Sequence, residues 1–372
     1  MKQIQLTNRD IFKVMEALAP TYLAYDWDNV GLQVGAYNKP VSKIMITLDV
    51  LENVVDEAIE KHVDLIIAHH PLLFKPLRQL NMDTPSGKIM QKLVNHGITV
   101  YASHTNLDAA IGGVNDQLAD AIGLTSSRVL VDEQSKSLVK LAVYVPISHI
   151  DQVREAISKA GAGHIGNYSH CTFHSHGQGT FKPLEGTNPF IGNTNQLEKV
   201  EEAKLETIVE EHKLSSVLEQ MIDAHPYEEV AYDIYPLGNK GEAMGLGRVG
   251  HLEEKMVLRD FVEKVKSAFQ MENVRVTGNL DKKVKTIAIL GGSGEKYIHQ
   301  AKLKGADVYI TGDMTFHIAQ DAWQIGLAVI DSGHYAEKIM KDAVKNYLND
   351  RFKDMGIEVI TSTTNTDPFQ FM

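Results

Sequence analysis

The chain of 372 residues is poor in cysteine, with Cys171 alone, and it has no long apolar run. A single cysteine excludes an internal disulfide framework and is typical of a protein that works in a reducing compartment. No stretch approaches the roughly 18 apolar residues that a membrane-spanning helix needs. The first ten residues also lack the apolar core of a secretion signal. We therefore expect a cytoplasmic protein that does not enter a membrane.

Positive charge is also scarce. The 37 Lys and Arg residues are outnumbered by 48 Asp and Glu residues, which gives a net charge of −11. Nonspecific attraction to nucleic acid or to an anionic membrane is therefore not favoured. Apolar residues make up 43% and charged residues 23% of the chain, as in ordinary globular proteins, and the length predicts two or three domains. Sixteen histidines make metal chemistry worth testing.

Two adjacent histidines, His69 and His70, follow a short apolar run at residues 65–68. A run without alternation predicts a strand buried on both faces, and Pro71 ends its pairing. In open α/β sheets, ligands bind at this end of the strands. The alternative is one buried and one exposed structural histidine. This stretch alone does not decide between that alternative and a metal site.

Strands and helices alternate on both sides of a different middle region. Residues 41–122 read as three strands with intervening helices, which predicts a largely parallel α/β sheet. The middle region contains strand-helix-strand followed by helix-strand, which predicts a small ferredoxin-like α+β fold. The alternating α/β pattern then returns. We predict a first core half at 1–130, an inserted domain at 131–243 and a second core half at 244–372.

The first and third regions match each other as an internal repeat. Laying Val41 on Val284 without gaps puts Asp64 on Asp307 and His70 on Asp313. With a shorter loop, residues 97–100 fall on residues 326–329. The repeat predicts two related core halves with polar residues at corresponding strand ends. These ends are expected to face each other, with His69, His70 and Asp108 in one half and His334 and Glu337 in the other.

These five residues form a mixed nitrogen and oxygen ligand set, which suits zinc, manganese, iron or cobalt. Five ligands exceed the three plus water that one catalytic zinc ion uses. Two ions about 3.5–4 Å apart, bridged by a carboxylate and a water, account for the surplus better. His104 and Asp313 are candidates to orient the ligands by hydrogen bonds. His317 is a weaker candidate for the same role.

Several other motifs have simpler explanations. The middle region contains a group of possible soft ligands, but their spacing fits no zinc motif, and we favour a solvated or interface strand: His164, His170, Cys171, His174 and His176. Residues 291–294, Gly-Gly-Ser-Gly, predict a tight turn, with a phosphate site as the alternative. Arg248 and Arg275 are candidates to hold an anionic ligand. We interpret Trp27 as a packing anchor and the neighbouring acidic residues as turn-forming.

The motifs in combination resemble the NIF3-like family, also known as GTP cyclohydrolase 1 type 2 homologs. The matching stretches are residues 26–32 (DWDNVGL), 68–71 (AHHP), 103–110 (SHTNLDAA) and 332–337 (SGHYAE). The resemblance implies a duplicated α/β core and a dimetal site at His69, His70, Asp108, His334 and Glu337. It also implies a toroidal homohexamer. Residues 166–171, 177–192 and 225–229 resemble the PII/CutA-like insertion of the longer members.

Two classes of function are consistent with these features. The first is a metal-dependent hydrolase of a small substrate that is phosphorylated or nucleotide-like, in which a water between two metal ions attacks. Opening the ring of a guanine nucleotide and hydrolysing a phosphoester are both versions of it. The second is an oligomeric regulatory or scaffold protein with structural metals and a ligand-sensing insertion. An open coordination position would favour the first class, and saturated protein ligation would favour the second.

Overall fold

The computed structural model describes residues 5–132, 137–239 and 241–372. Contacts divide the chain into two compact units. The first unit contains residues 1–134 and 244–372, and the second contains residues 135–243. Within the described ranges, no helix is both long enough and apolar enough to cross a membrane.

The first unit begins with a helix that has Thr7 at its N-cap. The Asp10 carboxylate accepts a hydrogen bond of 2.9 Å from the Thr7 backbone N–H, which helps to fix the start of the helix. Helices and strands then alternate: α1 (Asn8–Leu18), β1 (Gly31–Val34), β2 (Lys43–Thr47), α2 (Glu52–Glu60), β3 (Leu65–Ala68), α3 (Pro85–His96), β4 (Thr99–Ala102), α4 (Thr105–Ala109), α5 (Val114–Ala121) and β5 (Thr125–Val131). Every residue of β3 and β4 is buried, as expected for parallel strands covered on both faces.

The second unit has a strand-helix-strand-strand-helix-strand order: β6 (Leu138–Pro146), α6 (Ile150–Lys159), β7 (Thr172–Phe181), β8 (Glu198–Glu210), α7 (Leu214–Ala224) and β9 (Tyr232–Pro236). Its strands form one antiparallel sheet in the order β7-β8-β6-β9. The sequence predicts the second helix of this unit at about residues 209–224, and its start is wrong, because Val209 lies in β8 and α7 begins at Leu214. Apolar residues of the sheet and of both helices, Leu205 and Val153 among them, form a separate core.

The rest of the first unit returns to the α/β pattern: β10 (Leu246–Val257), α8 (Leu258–Phe269), β11 (Arg275–Thr277), β12 (Lys283–Ser293), α9 (Ile298–Leu303), β13 (Val308–Gly312), α10 (Phe316–Gln324), β14 (Ala328–Asp331), α11 (Met340–Arg351) and β15 (Glu358–Thr361). A 3-10 segment, His334–Ile339, precedes α11. The sequence predicts a helix over residues 337–348, whereas the structure has a 3-10 segment up to Ile339 and begins α11 at Met340.

The first unit contains two sheets of related topology, in the orders β1-β4-β3-β2-β15 and β11-β14-β13-β12-β10-β5. Strands β2, β3 and β4 are parallel, as are β12, β13 and β14. The register also repeats. Ile44 lies opposite Leu65, and Ile287 lies opposite Val308. When Val41 is aligned with Val284 without gaps, Ile44 aligns with Ile287 and Leu65 aligns with Val308.

The same alignment relates two turns. Asp64 Oδ2 accepts hydrogen bonds of 2.9 and 3.1 Å from two backbone N–H groups at the start of β2, those of Ser42 and Lys43. Asp307 Oδ2 accepts bonds of the same two lengths from the corresponding N–H groups at the start of β12. The internal match in the sequence therefore reflects two α/β halves whose three parallel strands share the same order, register and turn chemistry.

Candidate metal centre

Polar side chains from both halves of the first unit converge at the carboxyl ends of the parallel strands. His69 and His70 directly follow β3, and Asp108 is the fourth residue of α4, the helix that follows β4. His334 and Glu337 lie in the 3-10 segment after β14. The structure thus brings together all five residues that the sequence predicted as metal ligands.

The Glu337 carboxylate is at the middle of this cluster. Its Oε2 lies 3.1 Å from His70 Nε2, 3.3 Å from His334 Nε2 and 3.7 Å from His69 Nε2. The same His69 Nε2 atom lies 3.5 Å from Asp108 Oδ1. His69, Asp108 and Glu337 are buried, whereas His70 and His334 are partly open to solvent.

Three groups of three possible ligands occur among the residues that the structure describes, each with its ligand atoms within 4.8 Å of one another. One is His69 with Asp108 and Glu337, and another is His70 with His334 and Glu337. Glu337 belongs to both, and each contains one of the adjacent histidines. The third group combines His69 and His70 with His104. His104, predicted only to orient ligands, therefore also lies where it could be one.

Each imidazole of the cluster is held through Nδ1 by an oxygen atom. The partners are the Ser103 carbonyl for His69 (2.9 Å), Asp49 for His70 (2.6 Å), Asp28 for His104 (2.9 Å) and Asp313 for His334 (2.6 Å). Metal-binding histidines are oriented in this way by a second hydrogen bond. In His69, His70 and His334, the other ring nitrogen, Nε2, then faces Glu337.

Sequence reasoning found one of these orienting carboxylates, Asp313, and missed two. Asp49 follows β2 at the same sheet edge, so the strand-end pattern could have found it. Asp28 belongs to the Asp-Trp-Asp-Asn turn. Beyond shaping that turn, its carboxylate also accepts hydrogen bonds from His104 and from the Thr105 backbone N–H.

The charges of the cluster compensate one another. Burial opposes the charged form of Glu337, but three imidazoles outweigh burial and hold the pKa of this carboxyl well below its usual range. Burial likewise opposes the imidazolium of His70, yet hydrogen bonds to Asp49 and Glu337 raise the pKa of His70 to about 10. The hydrogen bond to Glu337 raises the pKa of His334 to about 9. Burial raises the pKa of Asp108 to about 7. The carboxylates of the cluster thus stabilise positive charge on His70 and His334.

A divalent cation fits these residues. Two buried atoms, His69 Nε2 and Asp108 Oδ1, have no hydrogen-bond partner in the part of the chain that the structure describes. Buried polar atoms are nearly always paired in folded proteins. Both atoms are of the kinds that zinc and related metals bind, and both face the interior of the cluster.

The Gly-rich stretch at the end of β12 leaves space for the side chains of the cluster. Gly292 has a φ of +63°, and a Cβ atom built on it would lie 2.6 Å from Glu337 Oε1 and 3.3 Å from His334 Nε2. A side chain at this position would displace the carboxylate. Space for Glu337 therefore accounts for this glycine without a phosphate site.

The other candidates lie elsewhere. Arg248 is 3% exposed and is paired with Asp116 and with three backbone carbonyls, so the prediction that it holds a ligand is wrong. His317 is exposed on α10 and belongs to none of the three groups. In the second unit, His174 and His176 lie on β7 with ring centroids 5.4 Å apart, and the groups found among the described residues include neither of them, nor His164, His170 or Cys171.

A cleft of about 810 Å³ opens beside the cluster at His70 and His334. Arg275 lines it, donates a hydrogen bond of 2.8 Å to the Met314 carbonyl and is paired with the buried Asp331. Tyr335 and Phe369 contribute aromatic surface. The cleft is large enough for a small organic ligand.

Trp27 differs from its predicted role. Its side chain is 59% exposed, so the interpretation as a packing anchor is wrong. The ring centroid lies 6.3 Å from that of His104, which places the indole at the edge of the cluster.

Comparisons with known proteins agree over nearly the whole chain. The model of the family Duf34/NIF3 (NGG1p interacting factor 3) matches residues 6–368. Proteins named "GTP cyclohydrolase 1 type 2 homolog" are 51% identical in Halalkalibacterium halodurans, covering 97% of this chain and 98% of the relative, and in Bacillus subtilis, covering 99% of each. A crystal structure of a Bacillus cereus protein related to NIF3 superposes with a TM-score of 0.92 at 49% identity, over 99% of both chains. The chain belongs to the Duf34/NIF3 family.

Proposed function

We propose that this protein is a metal-dependent hydrolase with a dinuclear site, acting on a small nucleotide-like or phosphorylated substrate. The observation that carries the proposal is the pair of three-ligand groups that share Glu337. His69 and Asp108 would complete one site, and His70 and His334 the other. Three protein ligands are the number that a catalytic zinc ion uses, with a further position left open.

The ligand set favours zinc, with manganese, iron and cobalt as alternatives. When bound, a pair of such cations supplies Lewis-acid activation of a water nucleophile. The protein itself orients the side chains that would bind the cations. Asp49 and Asp313 hold His70 and His334 through Nδ1, and Gly292 leaves room for the Glu337 carboxylate.

Two observations support the proposed substrate class. Arg275 lines the cleft next to His70 and His334, where a guanidinium suits a phosphate or carboxylate group. Relatives that are 51% identical carry the name "GTP cyclohydrolase 1 type 2 homolog", which supports a guanine nucleotide as one candidate substrate. The single cysteine supports a cytoplasmic location.

A second candidate is an oligomeric regulatory or scaffold protein, a homohexamer in the form that the family resemblance implies. Structural metals would then hold the core halves together, and a PII/CutA-like insertion at 131–243 would sense a ligand. The separate core of the second unit and its strand-helix-strand-strand-helix-strand order favour this candidate. Metal ions whose coordination positions are all filled by protein ligands would support this second candidate over the hydrolase.

The test of the hydrolase is Asp108→Asn, which removes a charged ligand while nearly preserving shape. Zinc-loaded wild type, this variant and the control Asp56→Asn, at an exposed position on α2, are screened against nucleotides and phosphoesters. We expect turnover by wild type and control, and a loss of at least about 100-fold in the variant, as for removal of a group that stabilises the transition state. The proposal fails if the variant keeps its oligomeric state and unchanged turnover.

A further inference from the structure

Two exposed aromatic side chains, Trp27 and Phe74, lie together beside the histidine cluster. They are 59% and 47% exposed, and their ring centroids are 5.9 Å apart. Each centroid lies 6.3 Å from the ring of His104. His104 in turn lies 5.3 and 5.6 Å from the rings of His69 and His70. We call Trp27 and Phe74 the aromatic pair.

The loops that carry the aromatic pair are tied together by side-chain amides. Asn29 Nδ2 donates a hydrogen bond of 2.6 Å to the Leu73 carbonyl, and the Leu73 backbone N–H donates one of 3.1 Å to Gln33 Oε1. Gln33 is itself buried. Because Leu73 precedes Phe74 and Asn29 belongs to the turn of Trp27, these hydrogen bonds hold together the two loops that carry the rings.

The turn is also tied to the cluster itself. Asp28, directly after Trp27, has a fully buried side chain that accepts hydrogen bonds from His104 Nδ1 and from the Thr105 backbone N–H. Tyr25 stacks on Trp27 with centroids 5.6 Å apart and planes inclined by 10°. The indole is therefore supported by a second ring, and most of its remaining surface is open to solvent.

Large aromatic rings that stay exposed next to a polar cluster are typical of ligand-binding surfaces. The aromatic pair offers flat apolar area without a donor or acceptor apart from the indole N–H. The adjacent imidazoles and carboxylates offer polar groups and a place for cations. A ligand that satisfies both has a flat π-system with polar atoms at its edge.

We propose that the aromatic pair is the platform on which the planar heteroaromatic ring of the substrate stacks, with the edge of the ring directed past His104 toward His69 and His70. This inference deepens the proposed hydrolase function and rests on it for the nucleotide-like class of substrate. It gives Trp27 and Phe74 a binding role.

The chain provides its own optical probe, since its only tryptophans are Trp27 and Trp323. Trp323→Phe leaves Trp27 as the sole indole, and Trp27→Phe leaves Trp323, which is 63% exposed on α10. The zinc-loaded full chain is titrated with each of the four common nucleoside monophosphates and with ribose 5-phosphate. We expect at least one nucleotide to quench Trp27 emission saturably, ribose 5-phosphate to leave it unchanged, and Trp323 emission to respond to neither.

Calorimetry with the nucleotide that quenches most gives the second readout. Trp27→Ala should weaken its binding about tenfold or more, the loss that removal of one base-stacking contact produces. The matched control Trp323→Ala removes an indole of similar exposure and should bind as wild type does. Ribose 5-phosphate should bind equally to all three proteins.

Three results would overturn the inference. The first is that none of the four nucleotides quenches Trp27 emission saturably. The second is that Trp27→Ala binds the nucleotide with wild-type affinity. The third is that Trp27→Ala changes the oligomer mass while its nucleotide affinity stays unchanged. The last would identify the aromatic pair as a protein interface. Quenching does not depend on turnover, so stacking without hydrolysis would refute the hydrolase alone, whereas hydrolysis without stacking would refute only the platform.

Discussion

At the scale of single residues, the site depends on how each histidine is held. Asp49 contacts His70 across 21 positions, and Asp28 contacts His104 across 76. Such contacts depend on which strand ends become neighbours, so the sequence alone does not specify them. The five clustered residues themselves were predictable, because they follow buried strands in both repeats.

The raised pKa values of the cluster predict that metal binding releases protons. Without metal, His70 and His334 keep their protons up to pKa values of about 10 and 9, whereas a metal needs neutral imidazoles. Protons therefore compete with the metal below this range. We expect the apparent zinc affinity to rise as pH increases from 7 toward 9, and zinc binding at pH 7.5 to release protons. Calorimetry in buffers of different ionisation enthalpy measures the release, and a buffer-independent heat would contradict the prediction.

At the scale of secondary-structure elements, the clearest sequence signals were the parallel strands. The apolar run without alternation at residues 65–68 predicted β3 with the bounds that the structure gives, because this strand is buried on both faces. Between the two helices of the middle region the sequence predicted one strand, whereas the structure has two, β7 and β8. Glutamates and lysines interrupt the apolar pattern of β8. Trp27 was misread because a tryptophan in isolation says nothing about whether neighbouring elements cover it.

The repeated turn predicts matched effects on stability in the two halves. Asp64→Asn and Asp307→Asn each remove the charge that accepts two backbone N–H groups. Each should lower the free energy of unfolding by about 1–3 kcal/mol, the range for hydrogen bonds to charged groups.

Urea unfolding followed by tryptophan emission measures this effect in the first unit, which contains both tryptophans. The control Asp350→Asn, at an exposed position on α11, should be neutral. A loss confined to one half would show that the two turns are not equivalent.

At the scale of the whole molecule, duplication explains why the cluster exists. Each half alone supplies only part of the cluster, with His69, His70 and Asp108 in the first and His334 and Glu337 in the second. The two halves form one compact unit in which these residues meet. The family resemblance, the repeat and the five residues of the cluster were thus accessible from sequence. The exposure of Trp27 and the pairing of Asp28 and Asp49 with the imidazoles required the tertiary structure.

The central claim is that Glu337 is shared by two metal sites, and metal content tests it most directly. Purified protein is loaded with zinc, freed of excess ion and analysed for zinc per chain, with circular dichroism to confirm folding. We predict two ions in wild type, one in Asp108→Asn, and fewer than one in Glu337→Gln, because the shared ligand serves both positions. One ion or none in wild type, or two ions retained by folded Glu337→Gln, would contradict the claim.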